Sequence, residues 1–219
     1  MQKNPSQNDF SNRKMQIEGN FRYLSNIINR DMLLLLSKLI LLFSRWKING
    51  VAPNDPKYLL VLGPHTSAWD FIYALAVKTV LRMDTRFLGK AELFTGIGGF
   101  FFKMVGGYPV DRSKNTNLVD FVAEQYANHE KLSFALAPEG TRKYIPELKT
   151  GFYHIARKSG VPIYMVGLDF AKKMVTISEE SFYAGEDMQA DLERVKDFFK
   201  QHVAKYPEKT FPTFLREAN

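Results

Sequence analysis

The sequence predicts an α/β fold: a single domain with a mixed, largely parallel sheet flanked by helices and preceded by an apolar N-terminal helix. Two observations support this prediction. The chain has 219 residues, of which 45% are hydrophobic, and this suits one domain with a sizeable core. From Pro56 onward, short runs rich in β-branched and aromatic residues alternate with helical patterns, as they do in strand–helix–strand units.

The alternating region divides into short strands and longer helices. Strands are expected at 57–62, 86–89, 108–110, 132–137, 162–168 and 173–177. Helices are expected at 68–82, 91–105, 116–129, 149–159 and 187–205. Because ligands of such sheets bind at the carboxyl ends of the strands, functional residues are expected directly after a strand.

Residues 20–48, ahead of the domain at 49–219, form a predicted helix of unusual composition. The residues before it, 1–19, are expected to be disordered or loosely ordered. Polar residues recur in pairs along the helix, at Arg30/Asp31, Ser37/Lys38 and Ser44/Arg45. The rest of its surface is apolar, so it either lies in a membrane interface or packs onto the protein's own core. Its most apolar run, Met32–Phe43, is shorter than the ~20 residues that span a bilayer.

The charge balance indicates an anionic partner. The formal net charge is +7, which suits nucleic acid, anionic lipid or a phosphorylated substrate. The basic residues form no long block, and this weighs against nucleic acid. The absence of cysteine excludes disulfides, thiolate zinc sites and a thiol nucleophile, and no other cluster of metal ligands is apparent.

A histidine and an aspartate follow the first strand of the alternating region. The strand ends near Leu62 and a helix is expected from Ala68, so His65 lies in the turn and Asp70 in the first helical turn. A base with a carboxylate that orients it is a common arrangement for deprotonating a hydroxyl. Ser67 and Asp70 also match a helix-capping pattern, S-x-x-D, so the aspartate could serve only the helix and the histidine only the turn.

The stretch Gly106–Arg112 is a glycine-rich turn and a short strand that ends in an arginine. The planar guanidinium of Arg112 on such a rigid element suits two oxygens of a phosphate. The alternative is a surface ion pair of Arg112 with Asp111 or Asp120.

The stretch Leu132–Arg142 is a stronger candidate. A buried strand ends abruptly in Pro138-Glu139-Gly140, followed by a hydroxyl at Thr141 and a second arginine at Arg142. Glycine allows a ligand to approach the backbone closely, and the glutamate and arginine would offer it an acceptor and a donor. The alternative is a tight turn with a solvated ion pair.

These stretches, with a buried strand that follows them, resemble in order and spacing the four motif blocks of the glycerolipid acyltransferase family. This family includes the 1-acyl-glycerol-3-phosphate acyltransferases. Its H-x-x-x-x-D block is similar to His65–Asp70, its second block to Gly107–Arg112, its F-P-E-G-T-R block to Ala137–Arg142 and its fourth block to Val161–Val166. The resemblance spans about residues 56–170.

The chain departs from the family pattern at three positions, which are Ala137 for the usual phenylalanine, Lys143 for a frequent serine and Met165 for a frequent proline. These departures bear on the identity of the acceptor more than on the type of reaction.

The resemblance implies an O-acyltransferase of phospholipid biosynthesis. Such an enzyme moves a fatty acyl group from a thioester, on acyl-CoA or acyl carrier protein, to the free hydroxyl of a lysophospholipid, above all 1-acyl-glycerol 3-phosphate. His65 would be the general base and Asp70 would orient it. The implied substrate-binding residues are Arg112, Glu139, Gly140, Thr141 and Arg142. No cofactor beyond the thioester co-substrate and no metal is implied.

The expected location is the cytoplasmic face of a membrane, where a peripheral or monotopic enzyme meets an anionic surface. The helix at 91–105 would line a groove for the acyl chain or pack as an ordinary core helix. No nucleic-acid partner is expected. The alternatives are a different acceptor, such as glycerol 3-phosphate, a lyso-aminolipid or a lipid A precursor, and a non-catalytic membrane-surface protein.

Overall fold

The computed structural model of the protein describes residues 30–110 and 118–211. In this part of the chain the strands are β1 (Lys47–Asn49), β2 (Lys57–Gly63), β3 (Thr85–Lys90), β4 (Gly107–Val110), β5 (Leu132–Leu136), β6 (Ile163–Asp169) and β7 (Met174–Ile177). The helices are α1 (Arg30–Ser44), α2 (Ala68–Val80), α3 (Gly96–Met104), α4 (Leu118–Asn128), α5 (Gly151–Ser159) and α6 (Met188–Phe199), with 3₁₀ turns at Ala91–Phe94 and Pro207–Lys209.

The strands form one mixed sheet in the order β1-β7-β6-β2-β5-β3-β4. Strands β2 to β6 all run parallel to one another, whereas β7 is antiparallel to β6 and β1 is parallel to β7. Strand β1 therefore begins at the carboxyl edge of the sheet, the edge where β2 to β6 end. The prediction of a mixed, largely parallel sheet flanked by helices is confirmed.

Helices cover both faces of the sheet, and this explains why its central strands are apolar throughout. Leu59 and Val61 of β2 enter a core that they share with residues of α4, α5 and α6. Tyr58 and Leu60, which alternate with them, enter a second core with residues of α1 and α2. The loops that follow β2, β5 and β6 begin at the carboxyl edge, where the ligands of such sheets bind.

The N-terminal helix ends earlier than predicted. The expected span was 20–48, but α1 ends at Ser44, because Arg45 adopts a left-handed backbone conformation with φ of 62°. The next residues pair with β7 as β1, a contact that helical periodicity alone does not reveal. Residues 1–29 lie outside the described residues.

Helix α1 buries Ser37 and Leu41 but leaves most of its large apolar side chains exposed. It packs along α2, and Ser37, on the predicted polar stripe, is only 3% exposed. Leu35 and Leu42 are 57% and 69% exposed, and Phe43 is still more exposed. The helix thus uses one face for the core and leaves an apolar face uncovered by the described part of the chain. Among the described helices, none is both long enough and apolar enough to cross a bilayer.

Two other predicted helices differ from the structure. The span 91–105 divides at Thr95, where the 3₁₀ turn gives way to α3 and Gly96 takes a positive φ of 63°. The predicted helix at 187–205 ends at Phe199 in the structure. The chain continues as an irregular segment, residues 200–211, named here the C-terminal strap, which is held by tertiary contacts.

The end of α6 and the strap approach the sheet closely at two glycines. Gly63 of β2 and Gly167 of β6 are neighbours in register at the carboxyl edge. A Cβ atom on Gly63 would lie 2.5 Å from the ring of Phe199, and one on Gly167 would lie 2.2 Å from Nε2 of His202. Both distances are shorter than any van der Waals contact, so only glycine permits this approach.

We predict that Gly167→Ala lowers the free energy of unfolding by about 1–3 kcal/mol, because the buried His202 ring must be displaced. Urea denaturation measures the difference. The matched control is Gly151→Ala at the start of α5, where an added Cβ meets no atom within 4 Å and should be neutral or slightly stabilising. An equal free energy of unfolding for the two variants would show that the His202 ring moves aside without destabilising the protein.

Candidate active site

The candidate catalytic residues converge at the carboxyl edge of the sheet. His65 follows β2 and Glu139 follows β5, and these strands are hydrogen-bonded neighbours that run in the same direction. The backbone N–H of His65 donates to Oε1 of Glu139 at 2.9 Å. The two motif stretches therefore meet directly, although 74 positions separate the residues in sequence.

His65 and Asp70 form a close pair. Nδ1 of His65 lies 3.0 Å from Oδ2 of Asp70, and the imidazole is 23% exposed whereas the carboxylate is fully buried. The separation is that of an ion pair, but the alignment falls short of a full hydrogen bond. Catalytic hydrogen bonds are often long or poorly aligned without substrate and tighten in its presence.

Asp70 is also the capping carboxylate of α2. Its Oδ2 accepts the backbone N–H groups of Thr66 and Ser67, each at 2.8 Å. Oγ of Ser67 in turn accepts the backbone N–H of Trp69 at 2.9 Å, which completes the capping box. These bonds compensate for the burial of the charge and confirm the capping role of Asp70, whereas its role in orienting a catalytic base stays a prediction.

Glu139 contacts the interior of the protein. Its side chain is only 3% exposed, and burial is the main cause that raises its pKa, partly offset by the His65 N–H bond. The second oxygen, Oε2, is buried without a hydrogen-bond partner among the described residues. Glu139 therefore positions the loop of His65. Its predicted contact with substrate stays a prediction.

The residues after Glu139 form a tight turn. Gly140 has a positive φ of 62° and its N–H donates to the carbonyl of Ala137 at 3.0 Å. Oγ1 of Thr141 accepts the N–H of Lys143 at 3.3 Å, and the side chain of Arg142 is exposed. The alternative of a solvated ion pair between Glu139 and Arg142 is not formed, since the glutamate is buried.

The structure adds Lys149 to this turn. A Cβ atom on Gly140 would lie 3.0 Å from Nζ of Lys149, so the ammonium group rests beside the glycine. The backbone N–H of Lys149 donates to the carbonyl of Pro138 at 2.8 Å. Sequence reasoning did not identify this lysine. The sequence feature that could have identified Lys149 is its position just ahead of a helix, because the helix dipole disfavours a cation there.

The C-terminal strap lies beside the catalytic loop, a second contact that the sequence did not predict. The backbone N–H of Tyr206 donates to Oγ1 of Thr66, the residue that follows His65, at 3.2 Å. The N–H of Phe170 donates to the carbonyl of Val203 at 2.8 Å. The strap thereby joins the ends of β2 and β6.

Three other expectations concern this edge. Arg112 lies outside the described residues, so its role stays a prediction. In the region 91–105, Phe94 is buried in the core whereas Leu93 and Phe101 are exposed, and a groove for the acyl chain stays a prediction. Among the described residues, no group of three or more metal-ligating side chains is close enough to hold an ion.

We predict that Glu139→Gln becomes more stable relative to the wild type as the pH rises from 4 to 8. The raised pKa of Glu139 means that the folded protein favours the neutral carboxyl. This group therefore stabilises the folded state below its ordinary pKa of about 4.3. That contribution is lost as the pH rises through the pKa of the folded state. Glutamine stays neutral and still accepts the His65 N–H. Urea unfolding at both pH values measures the difference.

Glu147→Gln, an exposed carboxyl of the same loop, is the control and should show no such trend. Glu139→Ala should cost about 1–3 kcal/mol at either pH, because the buried His65 N–H loses its acceptor. A pH-independent difference between Glu139→Gln and the wild type would refute the effect of burial on this carboxyl.

Two curated proteins are similar in sequence to about half of this chain. The chain is similar to the 1-acyl-sn-glycerol-3-phosphate acyltransferase of Saccharomyces cerevisiae (29% identity over 120 residues, 51% of this chain and 40% of the yeast protein). It is also similar to the enzyme of that name from Haemophilus influenzae (26% over 129 residues, 55% of this chain and 52% of that protein). The chain thus spans about half the length, or less, of these curated relatives.

The fold has a counterpart of known structure. The crystal structure of the 1-acyl-sn-glycerophosphate (LPA) acyltransferase PlsC from Thermotoga maritima superposes with a TM-score of 0.56, at 17% identity, over 86% of this chain and 90% of that chain. The model of the Acyltransferase family matches residues 48–169, more than half of the chain, and the matched range includes both sides of the His65–Glu139 contact. The chain belongs to the Acyltransferase family.

Proposed function

We propose that this protein transfers an acyl group from a thioester to the free hydroxyl of a lysophospholipid, with His65 as general base. The observation that carries the proposal is the buried Asp70 beside a partly exposed imidazole at the carboxyl edge of the sheet. The names of the two curated relatives favour 1-acyl-glycerol 3-phosphate as the acceptor. Acyl-CoA and acyl carrier protein are the candidate donors.

The geometry supports a defined tautomer of His65. Because Nδ1 faces the carboxylate of Asp70 at 3.0 Å, we assign the ring proton to Nδ1. Nε2 then keeps its lone pair for the substrate. Two hydrogen bonds hold the loop that carries the imidazole. Glu139 accepts the N–H of His65, and Thr66 accepts the N–H of Tyr206 from the strap.

The chemical step needs no covalent enzyme intermediate. Nε2 accepts the proton of the acceptor hydroxyl while its oxygen attacks the thioester carbonyl. The C–O bond forms, the C–S bond breaks, and the leaving thiolate takes the proton from the imidazolium. The Asp70 carboxylate stabilises the imidazolium between these two proton transfers.

The acceptor phosphate has cationic groups available near this site. Arg142 is exposed and Lys149 lies beside Gly140, on the turn that follows Glu139. Arg112 would add a third contact, as the family resemblance implies. A charge-assisted hydrogen bond contributes about 1.5–3 kcal/mol, so two or three such contacts suffice for selective binding of a phosphomonoester.

The exposed face of α1 supports docking on a membrane. Strand β1 follows α1 and begins at the carboxyl edge, so the end of α1 with its exposed Leu42 and Phe43 lies on the side of the sheet where His65 is found. A lipid substrate would reach the base from this side. We propose a peripheral or monotopic enzyme, and the cytoplasmic membrane face stays a prediction.

We predict that His65→Ala lowers the rate of thiol release from acyl-CoA, with lysophosphatidate as acceptor, by about 10²–10⁴-fold. Asp70→Asn should reduce kcat more than it changes KM, because the imidazole loses the carboxylate that orients it. A panel with glycerol 3-phosphate and lyso-aminolipids, run with both donors, measures acceptor selectivity.

The control is His129→Ala, which changes an exposed histidine after α4 at the opposite edge of the sheet. Its activity should equal that of the wild type. Full activity of His65→Ala would overturn the mechanism. Inactivity of the wild type with every acceptor and both donors would favour the non-catalytic membrane-surface alternative.

We predict that Leu35→Gln and Leu42→Gln weaken partition into phospholipid vesicles by about tenfold or more each, since burial of one such side chain contributes about 1.5–3 kcal/mol. The melting temperature should change little because both side chains are exposed. Vesicle sedimentation and thermal unfolding measure the two effects.

Val51→Gln is the matched control, because Val51 is 74% exposed but follows β1 at the opposite edge of the sheet. Its partition should be unchanged. A large loss of stability in the α1 variants would show that protein, rather than lipid, covers this face.

A further inference from the structure

The two tryptophans of the chain lie in a single aromatic cluster at the carboxyl edge. Trp46 stacks on Tyr73 with ring centroids 3.9 Å apart, and Tyr73 stacks on Trp69 at 6.0 Å. Phe170 meets Trp46 edge-on at 4.8 Å. With Lys205, whose ammonium group lies over the Trp69 ring, these residues form what we name the cation–aromatic cluster.

The cluster exposes one ring, with a partly buried cation beside it. Trp69 is 46% exposed, and Nζ of Lys205 lies 4.8 Å from its centroid. On the same strap, Nζ of Lys209 lies 4.1 Å from the Tyr206 ring. Within residues 30–110 and 118–211, neither lysine forms an ion pair with a carboxylate. Aromatic rings hold these cations without neutralising them.

The cluster lies between α1 and the catalytic loop. Trp46 lies two positions after the end of α1, and Trp69 is on the first turn of α2, four positions after His65. Lys205 precedes Tyr206, whose N–H donates to Thr66. The cluster thus joins the exposed apolar face of α1 to the site of the base.

Further basic side chains surround the cluster at this edge. Arg45 and Lys47 flank Trp46, and Lys173 follows Phe170 in the turn between β6 and β7. All three are exposed, and the N–H of Lys47 donates to the carbonyl of Lys173 at 2.9 Å, so they belong to one surface.

We propose that the cation–aromatic cluster and the basic side chains around it bind the headgroups of anionic phospholipids and turn the catalytic edge toward the bilayer. This proposal rests on the proposed membrane docking of α1 and names the headgroup chemistry that accompanies it. The lysines attract lipid phosphates, while the Trp69 ring inserts at headgroup depth.

Two observations favour lipid over a soluble anion. The cluster adjoins the end of α1, because the N–H of Trp46 donates to the carbonyl of Leu41 at 2.9 Å, and the exposed apolar face of that helix does not attract a soluble phosphate. Exposed tryptophan beside lysine is typical of the membrane–water interface. Coenzyme A and acyl carrier protein carry the same negative charge but supply no apolar surface for α1.

The first test uses Trp69 as a probe. In the His65→Ala background, Trp46→Phe leaves Trp69 as the sole tryptophan, and no acyl donor is present. With vesicles of phosphatidylcholine and phosphatidylglycerol, the Trp69 emission should shift to shorter wavelength and be quenched by brominated lipid tails. If Trp46→Phe does not fold, the same quenching is measured with both tryptophans present.

The second test removes the charge. Lys205→Gln should weaken partition into these anionic vesicles about fivefold, which corresponds to the ~1 kcal/mol of one basic side chain near an anionic surface. Partition into pure phosphatidylcholine should not change. The matched control is Lys131→Gln, an exposed lysine ahead of β5 at the opposite edge, which should bind like the parent protein.

Three outcomes would overturn the proposal. These are a vesicle-bound protein whose Trp69 is not quenched, equal losses for Lys205→Gln and Lys131→Gln, and a Trp69 response to coenzyme A or acyl carrier protein in the absence of vesicles. Because binding is measured without turnover, failure of the proposed acyl transfer would appear only in the activity assays and leave these readings intact.

Discussion

The arrangement at the carboxyl edge depends on one buried charge, the carboxylate of Asp70. A fully buried carboxylate is costly unless hydrogen bonds replace its water, and here two backbone N–H groups of the same turn donate to Oδ2. Those bonds fix the backbone that carries His65 and begin α2 in the same place. Removal of the charge would therefore disturb both the start of the helix and the orientation of the imidazole.

The parallel sheet brings a second turn against the turn that carries His65. Parallel strands deliver their following loops to one edge, so the turn after β5 meets the turn after β2. Glu139 connects them by accepting the His65 N–H, at the cost of burying a second carboxyl group beside the first. Two carboxyl groups with different hydrogen bonding thus have different tasks: Asp70 faces the imidazole and Glu139 supports the backbone behind it.

In the proposed function, the same edge would carry both the chemistry and the attachment to a membrane. Helix α1 buries Ser37 and Leu41 and leaves Leu35, Leu42 and Phe43 exposed, more apolar surface than a helix that only stabilises a soluble core would leave outside. The stacked rings of Trp46, Tyr73 and Trp69 then connect this face to the catalytic loop. A lipid acceptor held by its phosphate would need to leave the bilayer only partly to present its hydroxyl to His65.

The sequence by itself determined the strand–helix alternation, most element positions, the His65–Asp70 pair and the family resemblance, because these depend on local periodicity, capping patterns and motif spacing. Only the tertiary structure decided where α1 ends, since β1 pairs with a strand more than 100 residues away. It also gave Glu139 its internal partner and brought Lys149 and the strap to the site, because these contacts join distant segments. Local sequence patterns determine the helices and strands, and the packing of the two cores determines which of these helices and strands come into contact.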